Sequence, residues 1–191
     1  MNILLSGGAG YIGSHVVLAL IDAGHQVHII DDLSTGNINL IPKHISFTKC
    51  NVNDSKKVGD IISKNKFDAV MHFAGYIQVE ESVNFPKKYF ENNTQNSINF
   101  FNTCKKNGLN NVIFSSTAAA YGSNNENIVT ENTILNPQNP YAESKIQTEN
   151  YLINNKDKFN YIILRYFNVA GADYKLRSGQ MSENSTHLIK I

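Results

Sequence analysis

The sequence has no tryptophan, only two cysteines and four prolines, and almost no net charge. No apolar run approaches the ~20 residues of a membrane-spanning helix. Each shortage excludes something. Cys50 and Cys104 lie far apart, with no His or Cys partner at metal-ligand spacing. A disulfide framework and a cysteine zinc site are therefore not expected, and the thiols read as buried groups of a reducing compartment. The histidines, His15, His25, His28, His44, His72 and His187, also lack ligand spacing, so no metal site is expected. Seventeen basic against sixteen acidic residues leave a charge of +1, which gives no electrostatic case for nucleic acid or an anionic membrane. The first apolar segment starts at residue 2, so no signal peptide is expected and the location reads as cytoplasmic. Ser115 and Ser116 lack a nucleophile-elbow glycine pattern, which disfavours a hydrolase. With 191 residues, the chain is long enough for one well-buried α/β domain and short for two.

What is present is concentrated at the start. Asn2-Ile3-Leu4-Leu5-Ser6 predicts a strand and Gly7-Gly8-Ala9-Gly10-Tyr11-Ile12-Gly13 a tight turn opening a helix. Val27-His28-Ile29-Ile30 then predicts a second strand that closes on Asp31. Glycines let backbone amides approach a pyrophosphate, and the helix N-terminus adds the positive end of its dipole. An acid at the tip of the second strand suits a ribose 2′-hydroxyl and repels a 2′-phosphate, so the cofactor reading is NAD rather than NADP. A merely tight turn is the plain alternative, and the strand, helix and acid in this order weigh against it.

Strand and helix signals alternate downstream. Runs at 45–49, 67–73, 112–115 and 161–165 read as strands. Helices are expected after Asp54, from Pro86 to Lys106 and from Tyr141 to Asn154. This alternation predicts a Rossmann-type α/β fold, a doubly wound parallel sheet. Thr186-His187-Leu188-Ile189-Lys190-Ile191 looks like the first turn of an amphipathic helix. Residues 1–185 are thus expected to form the dinucleotide-binding domain and 186–191 the start of a substrate-side segment whose continuation, a C-terminal substrate domain, is absent.

Tyr141-Ala142-Glu143-Ser144-Lys145 puts a phenol and an ammonium four residues apart on one helix face. Lys145 is then expected to draw the Tyr141 phenol down towards neutrality, fitting it to take a proton from an alcohol. An exposed helical pair is the plain reading of this common spacing. It gains weight from the glycine turn and from Ser115-Ser116-Thr117, where Thr117 can bridge a substrate oxygen and the phenol; the plain reading of Thr117 is a strand-end hydroxyl serving local backbone.

Five blocks together resemble the extended short-chain dehydrogenase/reductase family: the glycine turn, His72-Phe73-Ala74-Gly75, Ser115-Ser116-Thr117 before Tyr121-Gly122, Tyr141 to Lys145, and Arg165-Tyr166-Phe167-Asn168. Within it, the resemblance is strongest to the branch that inverts C4 of UDP-hexoses. It implies NAD as a retained cofactor, with Tyr141 as base, Lys145 on the nicotinamide ribose and Thr117 on the C4 oxygen. By the same resemblance Gly7, Gly10, Tyr11, Ile12 and Gly13 line the pyrophosphate, Asp31, Asp32 and Leu33 the adenosine ribose, and Asn51 and Val52 the adenine. Phe73, Ala74, Gly75, Asn92, Ser115 and Phe167 would border the remainder of the cofactor. Asn168, His187 and Leu188 match the UDP-sugar side, and the helices Pro86–Lys106 and Tyr141–Asn154 match the family's homodimer surface.

Departures carry information too. Ala118-Ala119-Ala120 stand where dehydratase and decarboxylase relatives carry acids, and methyl groups can neither donate nor accept a proton. Asn51 replaces the Asp often found at the adenine, and Ile77 replaces a Lys that some relatives place near the phosphates. The alternatives are an inactive, shortened NAD-binding module, or a related dehydratase or reductase of nucleotide sugars. An isolated first half is expected to bind NAD and to epimerise weakly or not at all.

Overall fold

The computed structural model describes residues 1–123 and 128–181. The expected helix start at 186–191, with His187 and Leu188, lies outside the described residues.

Six strands form one parallel sheet: β1 (Asn2–Ser6), β2 (Gln26–Asp31), β3 (Ser46–Lys49), β4 (Ala69–His72), β5 (Asn111–Ser115) and β6 (Asn160–Leu164), in the order β3-β2-β1-β4-β5-β6. Helices α1 (Tyr11–Asp22) and α2 (Ser55–Lys64) connect the first half; α5 (Ser97–Lys106) and α6 (Pro140–Asn154) precede β5 and β6. The strands are apolar on both faces because both faces are covered. Leu4 and Ile30 pack into one layer with Phe100, Phe101 and Phe114, whereas their neighbours Leu5 and Ile29 pack into the opposite layer with Val17 of α1. Strand order reverses between β1 and β4, and the crevice beyond the carboxyl ends at such a switch point is where α/β sheets bind ligands. Ser6, Asp31, His72 and Ser115 all end their strands there.

Two elements depart from the sequence expectation. A short helix, α3 (Val79–Asn84), was not anticipated. The expected helix over 86–106 is continuous but not uniform: α4 (Pro86–Tyr89) runs into a π-helical segment, Phe90–Asn96, before α5. The widened turn is held by Asn93 and Thr94, whose side chains reach other elements rather than solvent. The expected strand over 67–73 is shorter, because Asp68 turns back to accept the Asn2 amide and only Ala69–His72 stay in the ladder.

β6 is an edge strand. Tyr161 and Ile163 face the core, but Ile162 and Leu164 are 56% and 37% exposed. No helix among the described residues is long and apolar enough to cross a membrane.

Candidate active site

The glycine turn is tight for identifiable reasons. Gly7 has φ +77°, and a Cβ there would lie 2.4 Å from the Ala74 amide nitrogen. A Cβ on Gly13 would lie 2.1 Å from the Gly7 carbonyl oxygen. These two glycines let the turn fold against Phe73–Ala74 and let α1 start directly beneath it. Gly10 differs: its Cβ would meet only the Gly7 oxygen, at 3.3 Å. That contact is tighter than a methyl usually makes but milder than the other two, and the glycine leaves the α1 N-terminus open to approach. No side chain caps α1. The residues therefore fit a dinucleotide pyrophosphate.

Asp31 is buried, and its carboxylate accepts the amides of Ala9 (3.0 Å) and Leu33 (2.8 Å), so it ties the second strand to the turn. Burial pushes the carboxyl up, while those two amides pull it back. Leu33 adopts φ +62°, unusual for a leucine. Asp32 is held below the usual carboxylate range because hydrogen bonds from Ser34 and Asn51 outweigh its partial burial. Of the two residues expected at the adenine, Asn51 donates to Asp32 at 2.7 Å, while the Val52 side chain is in the core.

The second half of the crevice holds the Tyr/Lys pair. Asn139 caps α6 through the Ala142 amide at 2.9 Å and sets Tyr141 at the start of the helix. The Thr117 hydroxyl accepts the Ala119 amide at 3.1 Å, the local backbone role of the plain reading, and it is also close enough to the Tyr141 phenol to draw it down. Lys145, one turn on, is 3% exposed; its Nζ donates to the Ser115 carbonyl at 3.1 Å and lies over the Phe114 ring. The plain reading of an exposed helical pair is thereby excluded. One expectation is corrected. Burial pushes the Tyr141 phenol up, with only the Thr117 hydrogen bond opposing it, and no lowering by Lys145 is found. Lys145 itself is pushed down to about 8 by burial, against the field of Glu149.

Residues not singled out from sequence complete the site. Asn93 accepts the Tyr76 amide, donates to the Tyr76 carbonyl (both 2.9 Å) and donates to Ser144 Oγ, so it pins the segment after Gly75 to α6. Its neighbour Asn92, the expected cofactor residue, is half-buried and donates to Asn93 Oδ1. Ser115 Oγ is hydrogen-bonded to the Tyr166 hydroxyl, so the Ser115 side chain is occupied by protein. Glu149 is fully buried, with Arg165 bound to both of its oxygens and Ser116 bound to one. Nothing in the sequence signals this pairing, since the partners sit 16 residues apart on different elements. Phe167 and Asn168 are exposed beyond β6.

His72 is structural: it bridges Ser6 Oγ (2.6 Å) and Ser97 Oγ (2.8 Å) inside an aromatic cage of Phe100, Phe101 and Phe114. After β6 the chain returns across α1, where the Tyr11 hydroxyl donates to the Gly171 carbonyl (2.6 Å) and Arg177 pairs with Asp22 and Asp173.

A profile described as the NAD dependent epimerase/dehydratase family matches residues 3–190. A UDP-glucose 4-epimerase of Azospirillum brasilense is 44% identical over 192 aligned residues, covering 100% of this chain and 55% of that protein. One from Lactobacillus helveticus is 40% identical, covering 99% and 58%. The crystal structure of the UDP-glucose 4-epimerase from Brucella ovis in complex with NAD superposes with a TM-score of 0.95 at 35% identity, over 98% of this chain and 58% of that one. The chain therefore spans little more than half the length of these relatives.

Proposed function

The chain belongs to the NAD dependent epimerase/dehydratase family, and from that premise we propose that it is the NAD-binding, proton-transferring part of an enzyme inverting C4 of a UDP-hexose. The observation that carries the reading is the buried Lys145, its Nζ on the Ser115 carbonyl at the carboxyl end of β5, one turn along α6 from Tyr141 and beside buried Thr117. NAD, when bound, supplies reversible oxidation at the sugar carbon. The chain's own residues do the remainder. Thr117 orients the C4 hydroxyl towards the phenol, and Tyr141 takes and returns its proton. Because burial holds the free phenol up, Tyr141 needs added positive charge to act as a base near neutrality. Lys145, one turn along the same helix, is the cation placed to provide it, and its ammonium would also hold the nicotinamide ribose. Asp31 accepts the adenosine ribose hydroxyls and opposes a 2′-phosphate.

Ala118 and Ala120 are buried immediately after Thr117. A dehydration of the sugar needs an acid and a base at this place, and alanines supply neither. This favours chemistry confined to C4.

Two measurements test the reading. Isothermal titration with NAD and NADP is expected to show preferential NAD binding by this chain. NMR of UDP-galactose incubated with the whole protein is expected to show UDP-glucose as the product. Release of a 4-keto-6-deoxy sugar would overturn the assignment.

A further inference from the structure

Glu149 has no part in the chemistry assigned above, yet it is a fully buried carboxylate one helical turn beyond Lys145. We propose that Glu149 is a positioning residue that acts through Lys145, keeping its ammonium group charged at neutral pH. The proposal rests on the role given to Lys145 under the proposed function.

The geometry is specific. At i and i+4 on one helix, two side chains are neighbours. Lys145 is buried with a neutral carbonyl, Ser115 O, as its hydrogen-bond acceptor, and a buried ammonium without a nearby anion tends to lose its proton. Glu149 is the anion on that side, because its carboxylate meets Ser116, next along the chain from the Ser115 that Lys145 contacts, and it is prevented from swinging away. Arg165 grips both oxygens, at 2.5 to 3.1 Å, and Ser116 donates to one of them. Arg165 is fixed in turn by the Tyr121 hydroxyl at 3.2 Å and lies over the Tyr121 ring. The carboxylate is thus held in place by the protein's own side chains.

The groups around Lys145 leave Glu149 as the source of the effect. β4 presents His72, neutral and held down to about 3; the π-helical segment presents the uncharged Asn93 amide; β5 presents Phe114 and the Ser115 carbonyl. α6 presents Tyr141 and Glu149, and the chain at the end of β6 presents Arg165 and Tyr166. Burial draws Lys145 down to about 8, and Glu149 is the group opposing it.

The test is a pH titration of Lys145 in ¹³C-lysine-labelled, nucleotide-free protein by NMR, with the resonance assigned through Lys145→Met. Glu149→Gln keeps a hydrogen-bonding group facing Arg165 and Ser116 but removes the charge. It is expected to lower the Lys145 midpoint by at least one pH unit. Arg165→Gln leaves the carboxylate and removes the opposing cation, and is expected to move the midpoint upward. An unchanged midpoint in folded Glu149→Gln overturns the proposal; if that variant does not fold, an unchanged or lowered midpoint in Arg165→Gln does so. In NAD titrations, Glu149→Gln is expected to lose at least threefold more affinity between pH 6 and 7.5 than the unsubstituted chain. Absence of NAD binding by the unsubstituted chain would instead overturn the functional reading, while the nucleotide-free titration still decides the role of Glu149.

Discussion

At the scale of single residues, burial moves the titration of groups around the crevice away from their ordinary values. His72 shows the consequence for stability. Its imidazole is enclosed by three phenylalanines and bridges two serine hydroxyls, so the protonated form is strongly disfavoured and its pKa falls to about 3. Between pH 6.5 and 3 the unfolded chain binds a proton that the native chain refuses. The contribution of His72 is therefore complete above pH 6.5 and is lost as pH falls through that window, amounting to roughly 3–5 kcal/mol at the acid end. Urea denaturation at pH 7 and pH 4 is expected to show a large part of this loss. In His72→Gln the same pH step is expected to have a much smaller effect, on top of a lower starting stability of about 1–3 kcal/mol from the disturbed serine bridges. Asp31 is the matching residue for specificity. Asp31→Asn can still accept one backbone amide, so the turn is expected to survive. The loss of charge is expected to weaken NAD roughly tenfold and to narrow its margin over NADP, read by isothermal titration.

At the scale of elements, the glycine turn is the part most constrained by backbone contact. In Gly13→Ala the new methyl meets the Gly7 carbonyl oxygen at 2.1 Å, and that oxygen is backbone that cannot swing aside. The expected outcome is a destabilisation of about 2–4 kcal/mol together with weakened NAD binding, measured by thermal melts with and without NAD. Gly24→Ala, with nothing near its Cβ, isolates the cost of a positive φ alone and is expected to leave NAD affinity unchanged. This turn was legible in the sequence because its determinants are local: glycines at fixed spacing between an apolar strand and a helix, with an acid at the next strand end. The sheet was legible for the same reason, since apolar runs of strand length alternate with capped helical stretches. The π-helical widening at Phe90–Asn96 was not. It depends on Asn93 reaching the Tyr76 backbone and Ser144, contacts 17 and 51 residues away that no local pattern records. α3 was hidden for a different reason: six residues ending just before Pro86 are too few to show a period. In the candidate site, the Tyr/Lys spacing and Thr117 could be read directly. The upward push on Tyr141 could not, because it follows from burial, which depends on how the elements pack.

At the scale of the whole molecule, two surfaces compete as places where copies of this chain meet. The helix pair expected to form a homodimer, Pro86–Lys106 and Tyr141–Asn154, turns exposed Gln95 and Gln147 outward, with Ile153 39% exposed near its end. The edge of the sheet offers more exposed apolar residues. Ile162, Leu164, Phe167 and Val169 are 56%, 37%, 71% and 37% exposed on or just after β6, a strand that among the described residues is hydrogen-bonded on one side only, to β5. An unpaired edge strand beside an apolar strip is the arrangement most prone to association. Sedimentation velocity is therefore expected to show concentration-dependent self-association of this chain. Ile162→Lys places a charge in the strip and is expected to reduce that association severalfold, whereas Gln147→Lys on the helix pair is expected to leave it nearly unchanged. The reverse pattern would assign the contact to the helices. NAD affinity should be the same in both variants, because Asp31 and the glycine turn lie at β1 and β2, across the sheet from β6.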